Sequence, residues 1–236
     1  MRFIHASDLH IDSPLRGLDR YDGAPVERLR SATRSALERL VDRALAERVD
    51  FLLLAGDIYD RDWQDFHTGL FFRGQMVRLE RAGIRCFIVQ GNHDAQGVIS
   101  RQLTLPSNVT VFSSRAAQTI RLDDLSVAIH GRSFPEREVN EDLVPSYPPP
   151  VSGYFNIGLL HTSLTGRAGH DTYAPTDLPT LVAKGYDYWA LGHVHAREVL
   201  NERPRIVFCG NLQGRHAKET GAKGCELVTV EAGRVE

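Results

Sequence analysis

Apolar residues fall along this chain in two alternating rhythms. Short runs, Arg2-Phe3-Ile4-His5-Ala6-Ser7, Phe51-Leu52-Leu53-Leu54-Ala55 and Cys86-Phe87-Ile88-Val89-Gln90, each give way to glycine or polar residues. Between them, Pro25 to Glu47 carries Val26, Leu29, Leu37, Leu40, Val41 and Leu45 near helical spacing, and Thr68 to Arg81 ends before Gly83. The alternation predicts strand, helix, strand, helix, strand, that is, two βαβ crossovers with parallel pairing. A loop is expected over residues 13–24, where Pro14, Gly17 and Gly23 fall. The second half reads differently. Val109–Phe112, Thr119–Leu122 and Leu125–His130 are short β-rich runs, with Asp123-Asp124 at a hairpin tip. Residues 134–153 hold Pro135, Pro145 and Pro148-Pro149-Pro150 and predict an irregular surface loop. Strands resume at Phe155–His161, Tyr188–Leu191, Arg205–Cys209 and Cys225–Val230, with a helix around Asp177–Lys184. The expected architecture is α/β, a two-sheet β-sandwich flanked by helices, forming a single domain over residues 1–236.

Composition narrows the function classes. A formal net charge of −2 excludes an all-over polyanion-binding surface, so any nucleic-acid contact must be local. Cys86, Cys209 and Cys225 include no C-x-x-C pair and make no disulfide framework; reduced, buried thiols in a cytoplasmic protein are expected. No apolar stretch approaches the roughly 20 residues of a membrane span, and the N-terminus enters a strand without a signal-peptide pattern.

The ends of the strand-like runs carry the chemistry. Asp8 and His10 follow the first run, Asp57 the second and Asn92 the third; His161 closes a later one, and His193 and His195 follow Tyr188–Leu191. Polar groups at the ends of several buried strands are where an α/β sheet builds its site. Alternate residues of an extended segment share a face, so Asp8 with His10, and His193 with His195, can grip one ion. Asp57 follows Gly56, which permits a sharp turn, and a carboxylate can bridge two cations. Imidazole, carboxylate and amide together suit a hard or borderline divalent metal. Two cations about 3.5–4 Å apart would share a hydroxide and clamp a phosphoryl group for in-line displacement.

These residues resemble the calcineurin-like metallophosphoesterases, in which D-x-H, G-D-x-x-D, G-N-H-D, a lone His and G-H-x-H occur in this order. The resemblance covers nearly the whole chain and implies the family's four-layer αββα fold. It is closest to the bacterial SbcD/YhaO-type DNA-repair exonuclease branch, through Gly56-Asp57-Ile58-Tyr59-Asp60, Tyr186–His195 and Gly210-Asn211-Leu212-Gln213-Gly214-Arg215-His216. By that resemblance Asp8, His10, Asp57 and His195 would hold one metal, and Asp57, Asn92, His161 and His193 the other. It implies Mn²⁺, while the ligand types alone also permit Fe or Zn. It further implies that His93 reaches the scissile phosphate, as acid or as a transition-state stabiliser, with Asp94 orienting its ring. DNA is the implied substrate and nuclease action in DNA repair the implied role. An SbcC-like ATPase partner follows if the chain is the core of a longer protein, since SbcD-type chains continue into a DNA-contacting domain and an ATPase-binding segment. The alternative is a phosphoesterase for a small molecule or phosphoprotein. Ser/Thr phosphatases of the superfamily read G-D-x-V-D-R-G and G-N-H-E, whereas this chain has Asp62 and Asp94 at the differing positions.

Other residues of these types carry blander expectations. His5, His67 and His130 read as structural, His170 and Asp171 as solvent-exposed, and Tyr59 and Trp63 as packed. Asp60 is placed either to accept from an imidazole or to cap a helix. Arg215 is either a phosphate ligand or structural.

Overall fold

Every residue of Phe51–Ala55 is buried, which a strand achieves only when both of its faces are covered. In the computed structural model this strand, β2, lies inside a six-stranded sheet, and a second six-stranded sheet packs against it. The structure describes residues 1–13, 31–60, 66–95, 103–165, 172–216 and 218–236. Most of the loop expected at 13–24, the proposed helix start at Pro25, and Asp62, Trp63, His170 and Asp171 lie outside the described residues.

The first sheet runs β12-β11-β1-β2-β3-β4. Its parallel strands are β1 (Arg2–Ala6), β2, β3 (Arg85–Val89) and β4 (Val109–Val111); β11 (Glu226–Glu231) is antiparallel to β1, and β12 (Arg234–Val235) to β11. The second runs β5-β6-β7-β8-β10-β9. Here β6 (Val127–Gly131), β7 (Phe155–His161), β8 (Tyr188–Gly192) and β10 (Arg205–Phe208) are parallel. The edges β5 (Gln118–Leu122) and β9 (Glu198–Glu202) are antiparallel to their neighbours. The βαβ crossovers, the hairpin at Asp123-Asp124 and the two-sheet sandwich are as the sequence predicts.

Side chains of one strand alternate between two cores. Phe3, Phe51, Leu53 and Phe87 point between the sheets, against Ile157, Leu159, Tyr188 and Val207. Ile4, Leu52, Leu54 and Ile88 point outward, under Leu37, Leu40 and Val41 of α1 (Ala32–Glu47) and Phe72, Met76 and Leu79 of α2 (Phe66–Arg81). Burying one such aliphatic side chain is worth about 1.5–3 kcal/mol, so this double coverage is the main force aligning the strands. On the other side, Leu160, Trp189 and Phe208 are covered by Leu181 of α3 (Leu178–Ala183), a helix capped by the Asp177 carboxylate, and by Phe134, Val139, Leu143 and Tyr147.

That last group belongs to the expected loop. Residues 134–153 are largely irregular and mostly exposed, with a 3₁₀ turn at Val144–Ser146, and the buried side chains of Phe134, Val139, Leu143, Val144 and Tyr147 anchor the loop on the second sheet. The Tyr147 hydroxyl donates to the Leu159 carbonyl of β7 (2.9 Å) and accepts from the N–H of Arg132, next after β6 (3.2 Å), which ties the loop to the second sheet. Two strands escaped prediction: β9, whose Glu198-Val-Leu-Asn-Glu202 has no buried face, and the two-residue β12. No helix among the described residues is long and apolar enough to cross a membrane.

Candidate metal centre

The parallel strands all end at one rim, and the segments leaving β1, β2, β3, β7 and β8 bring the seven candidate ligands together there. Four of them sit at positive φ: Asp8 (52°), His10 (41°), Asp57 (53°) and His193 (98°). Asp and His tolerate this region better than most residues, but such a cluster carries strain of about 1–3 kcal/mol per residue and is typical of functional sites. The turn after β3 also needs Gly91, since a Cβ there would collide with the Asp57 carboxylate and the His161 ring.

Asp57 Oδ2 lies 3.7 Å from His10 Nε2 and 3.6 Å from His161 Nε2. On one side, His10 Nε2 is 3.3 Å from His195 Nε2, and Asp8 Oδ1 is 3.7 Å from His195 Nε2 and 4.0 Å from His10 Nε2. On the other, His161 Nε2 is 2.9 Å from Asn92 Oδ1, and the His193 ring stands edge-on to His161, with centroids 5.2 Å apart. One carboxylate oxygen therefore faces two ligand sets. Donor atoms about 2.0–2.2 Å from a shared cation stand roughly 3–4 Å apart, so these spacings fit a pair of divalent ions.

Hydrogen bonding fits the same reading. His161 Nδ1 is 2.8 Å from the Ala55 carbonyl, which only accepts, so Nδ1 carries a proton and Nε2 is the nitrogen turned to the site. With the Asn92 amide oxygen beside it, it would offer a bound cation two adjacent donor atoms. His195 likewise donates from Nδ1 to Glu219 Oε1 (2.7 Å), leaving Nε2 toward His10. The buried His10 Nδ1 has no partner among the described residues. Asp8 is held by the Ser7 hydroxyl (2.5 Å) and by the His193 N–H, which donates to both its oxygens (3.2 and 3.0 Å). Burial, reinforced by the surrounding positive groups, holds His10 well below its usual range and therefore neutral. Burial pushes the Asp57 carboxyl up, but His161, His93 and the His93 N–H (2.9 Å) outweigh it and keep the group ionised.

His93 and Asp94 separate in role. The His93 ring borders the open cavity beside the ligands and is packed edge-on against His10, with centroids 4.8 Å apart. Its Nδ1 meets Asp60 Oδ1 at 3.0 Å, so Asp60 orients the ring in place of the expected Asp94. Asp94 sits behind the site, where its oxygens accept from the N–H groups of Ile58 (3.1 Å), Tyr59 (3.0 Å) and Gly91 (3.1 Å) and clamp two ligand-bearing turns together. Burial and the nearby Asp57 charge push Asp94 up to about 6 despite those donors. Asp60 also accepts from the Ser13 hydroxyl (2.8 Å) and the Arg215 guanidinium. Burial works against its charge, but His93 and Arg215 hold it well below the carboxylate range. His5 and His130 are buried in hydrogen bonds that involve none of the seven candidate ligands, and Tyr59 packs on Phe72.

Sequence reasoning missed Glu219. Its Oε2 accepts from Asn211 Nδ2 (2.8 Å) and the Arg215 N–H (2.8 Å), while Oε1 takes His195. Its position three residues beyond the G-N-L-Q-G-R-H segment was the available signal, and a lone glutamate in a loop is too common to stand out. A cavity of about 830 Å³ opens beside Asp57, Asn92, His93, His193 and His195.

Residues 1–197 match the calcineurin-like phosphoesterase family. The chain belongs to this family. It is 38% identical over 239 residues to the uncharacterized metallophosphoesterase YhaO of Bacillus subtilis, covering all of this chain and 59% of that protein. It is 24% identical over 282 residues to the SbcD subunit of the nuclease SbcCD of Escherichia coli K12, covering all of this chain and 66% of that one. The chain thus spans less than two thirds of the length of either relative. A dimetal phosphatase from Danio rerio shares the fold, with a TM-score of 0.56 over 98% of this chain and 93% of that one at 11% identity. The calcineurin-like phosphoesterases to which the chain belongs are metal-dependent phosphoester hydrolases, built on a fold that binds two divalent cations.

Proposed function

We propose that the chain is a two-metal phosphodiesterase that cleaves DNA in repair, acting as a single domain over residues 1–236. The observation that carries the two-metal reading is the Asp57 oxygen facing His10 on one side and His161 on the other at nearly equal distances. Asp8, His10, Asp57 and His195 would hold one ion, and Asp57, Asn92, His161 and His193 the second. The borderline donor set suits Mn²⁺, with Fe or Zn as competitors. Bound there, the cations would supply Lewis acidity, neutralising charge on phosphoryl oxygens and acidifying water. His93, open to the cavity and tethered by Asp60, would donate a hydrogen bond or proton to the leaving oxygen. Asp94 would fix the ligand-bearing turns from behind.

DNA as substrate is supported by the likeness to the SbcD subunit of a nuclease and by a cavity large enough for a nucleotide. An ATPase partner and a cytoplasmic setting follow from the same kinship, and the free cysteines accord with the latter. The test compares Mn²⁺-dependent hydrolysis of bis-p-nitrophenyl phosphate, p-nitrophenyl phosphate, and single- and double-stranded DNA. Diester cleavage should exceed monoester cleavage, with DNA ends or single strands cut. Strong monoesterase activity without diesterase activity would refute the reading.

A further inference from the structure

The wall of the cavity that includes Arg215, His216, Lys218, Glu219 and Lys223 carries charge that the ligand geometry does not use. Arg215, His216, Lys218 and Lys223 all line the same 830 Å³ space as Asn92 and His93. Two of the four are already paired, Arg215 with Asp60 and His216 with Glu219 at 3.4 Å. The two lysines are not. Lys223 Nζ donates to the His195 carbonyl (3.1 Å), leaving two of its three donors, and neither lysine has a carboxylate partner among the described residues. Such a cationic surface is local, because the chain as a whole has a net charge of −2.

This wall is also fastened to the metal centre. Glu219 takes the His195 ring with one oxygen and the Arg215 N–H and Asn211 amide with the other. Lys223 grips the same ligand segment from the far end of the loop. The spacing between cationic wall and candidate ions is therefore set by hydrogen bonds. A single phosphoryl group does not fill the space above them, which falls in the range of about 300–1,000 Å³ typical of pockets for whole small molecules.

We propose that this wall is a second phosphate subsite, in which Lys218 and Lys223 bind the phosphate next to the one being hydrolysed. The substrate class is then a compound carrying two or more phosphates joined through a sugar, as at the end of a polynucleotide. The inference rests on the phosphodiesterase reading above and specifies what lies beside the scissile bond. Lysine is suited to the task as a mobile point charge, which accepts a phosphate without demanding bidentate geometry.

Calorimetric titration of the full Mn²⁺-loaded chain with thymidine 3′,5′-bisphosphate and thymidine 5′-monophosphate tests it. The bisphosphate should bind about tenfold tighter, the worth of a charge-assisted contact at a partly exposed site. The advantage should shrink as salt rises. It should vanish in Lys218→Ala/Lys223→Ala and return in the double arginine variant. Equal binding of the two ligands, or an advantage that survives the double alanine variant, overturns the subsite. Binding is read without turnover, so the two readings can fail separately. A lysine-dependent advantage in a protein that hydrolyses no diester would keep the subsite and reject the phosphodiesterase. Diester hydrolysis without the advantage would do the reverse.

Discussion

His93 Nδ1 and Asp60 Oδ1 lie 3.0 Å apart, and this contact fixes a cavity-facing histidine that belongs to neither ligand set but packs against the ligand His10. Asp60 is 4% exposed and shares its other oxygen between Ser13 and Arg215, so the ring is oriented by a group that is itself held. His93→Ala should leave two metal equivalents bound while kcat falls by roughly 10²–10⁴-fold, the usual worth of a positioned acid or base. Asp60→Asn should lower kcat less, because the amide oxygen can still accept from Nδ1. Asn92→Ala, one residue earlier, should instead lose one metal. Metal content and rate measured on the same samples separate these outcomes; loss of metal in His93→Ala at an unchanged rate per bound ion would reject the assignment.

Asp57 offers a second separation. Because Oδ2 faces both ligand sets and Oδ1 takes the His93 N–H, its replacement touches two ions and one turn at once. Asp57→Asn keeps the shape but removes the charge that would balance two cations. Elemental analysis of the Mn²⁺-saturated protein should give two equivalents for the wild type and fewer than one for the variant. A single equivalent in the saturated wild type would sink the two-metal reading.

The parts legible in the sequence were those that obey local rules. Seven candidate ligands could be named because each of the five segments that carry them follows its own apolar strand, and parallel strands must bring such ends to one rim. The partner of His93 was not legible, because Asp94 is adjacent in sequence whereas Asp60 arrives from the turn after β2. Nor was Glu219, which reaches His195 across a 24-residue separation through a loop without periodicity. The prolines of residues 134–153 announce the irregular surface loop that is found, whereas the side chains that anchor it, such as Phe134, Leu143 and Tyr147, follow no period that a pattern can read.

Glu219 gives a prediction that distinguishes tuning from scaffolding. As the acceptor on His195 Nδ1 it fixes which nitrogen faces the candidate ion and makes that nitrogen a stronger donor. Glu219→Gln retains an oxygen acceptor but loses the charge, and should weaken Mn²⁺ affinity by roughly 10–100-fold. Glu219→Ala should weaken it further, because Asn211 and the Arg215 N–H also lose their acceptor. Titration of the metal-free protein with Mn²⁺ measures both, and circular dichroism checks that the fold is intact. Wild-type affinity in both variants would leave Glu219 a purely structural residue.

His5 predicts how the fold responds to acid. Its ring is fully buried between the Tyr188 hydroxyl (3.1 Å) and the Leu191 carbonyl (3.2 Å), and burial lowers its pKa from 6.5 to about 3 although the carbonyl opposes the shift. The folded chain therefore keeps His5 neutral at pH values where the unfolded chain protonates it. Above pH 6.5 neither state binds the proton and the residue has no pH-dependent effect. As pH falls from 6.5 toward 3 the unfolded state gains protons that the folded state refuses, and stability drops by up to about 1.4 kcal/mol per pH unit from this group. His5→Gln keeps hydrogen-bonding atoms near Tyr188 and Leu191 without a titrating ring. In the metal-free protein, urea unfolding at pH 7.5 and pH 5.0 should show a smaller stability difference for the variant than for the wild type. The two differences should be equal if His5 is protonated in the native state.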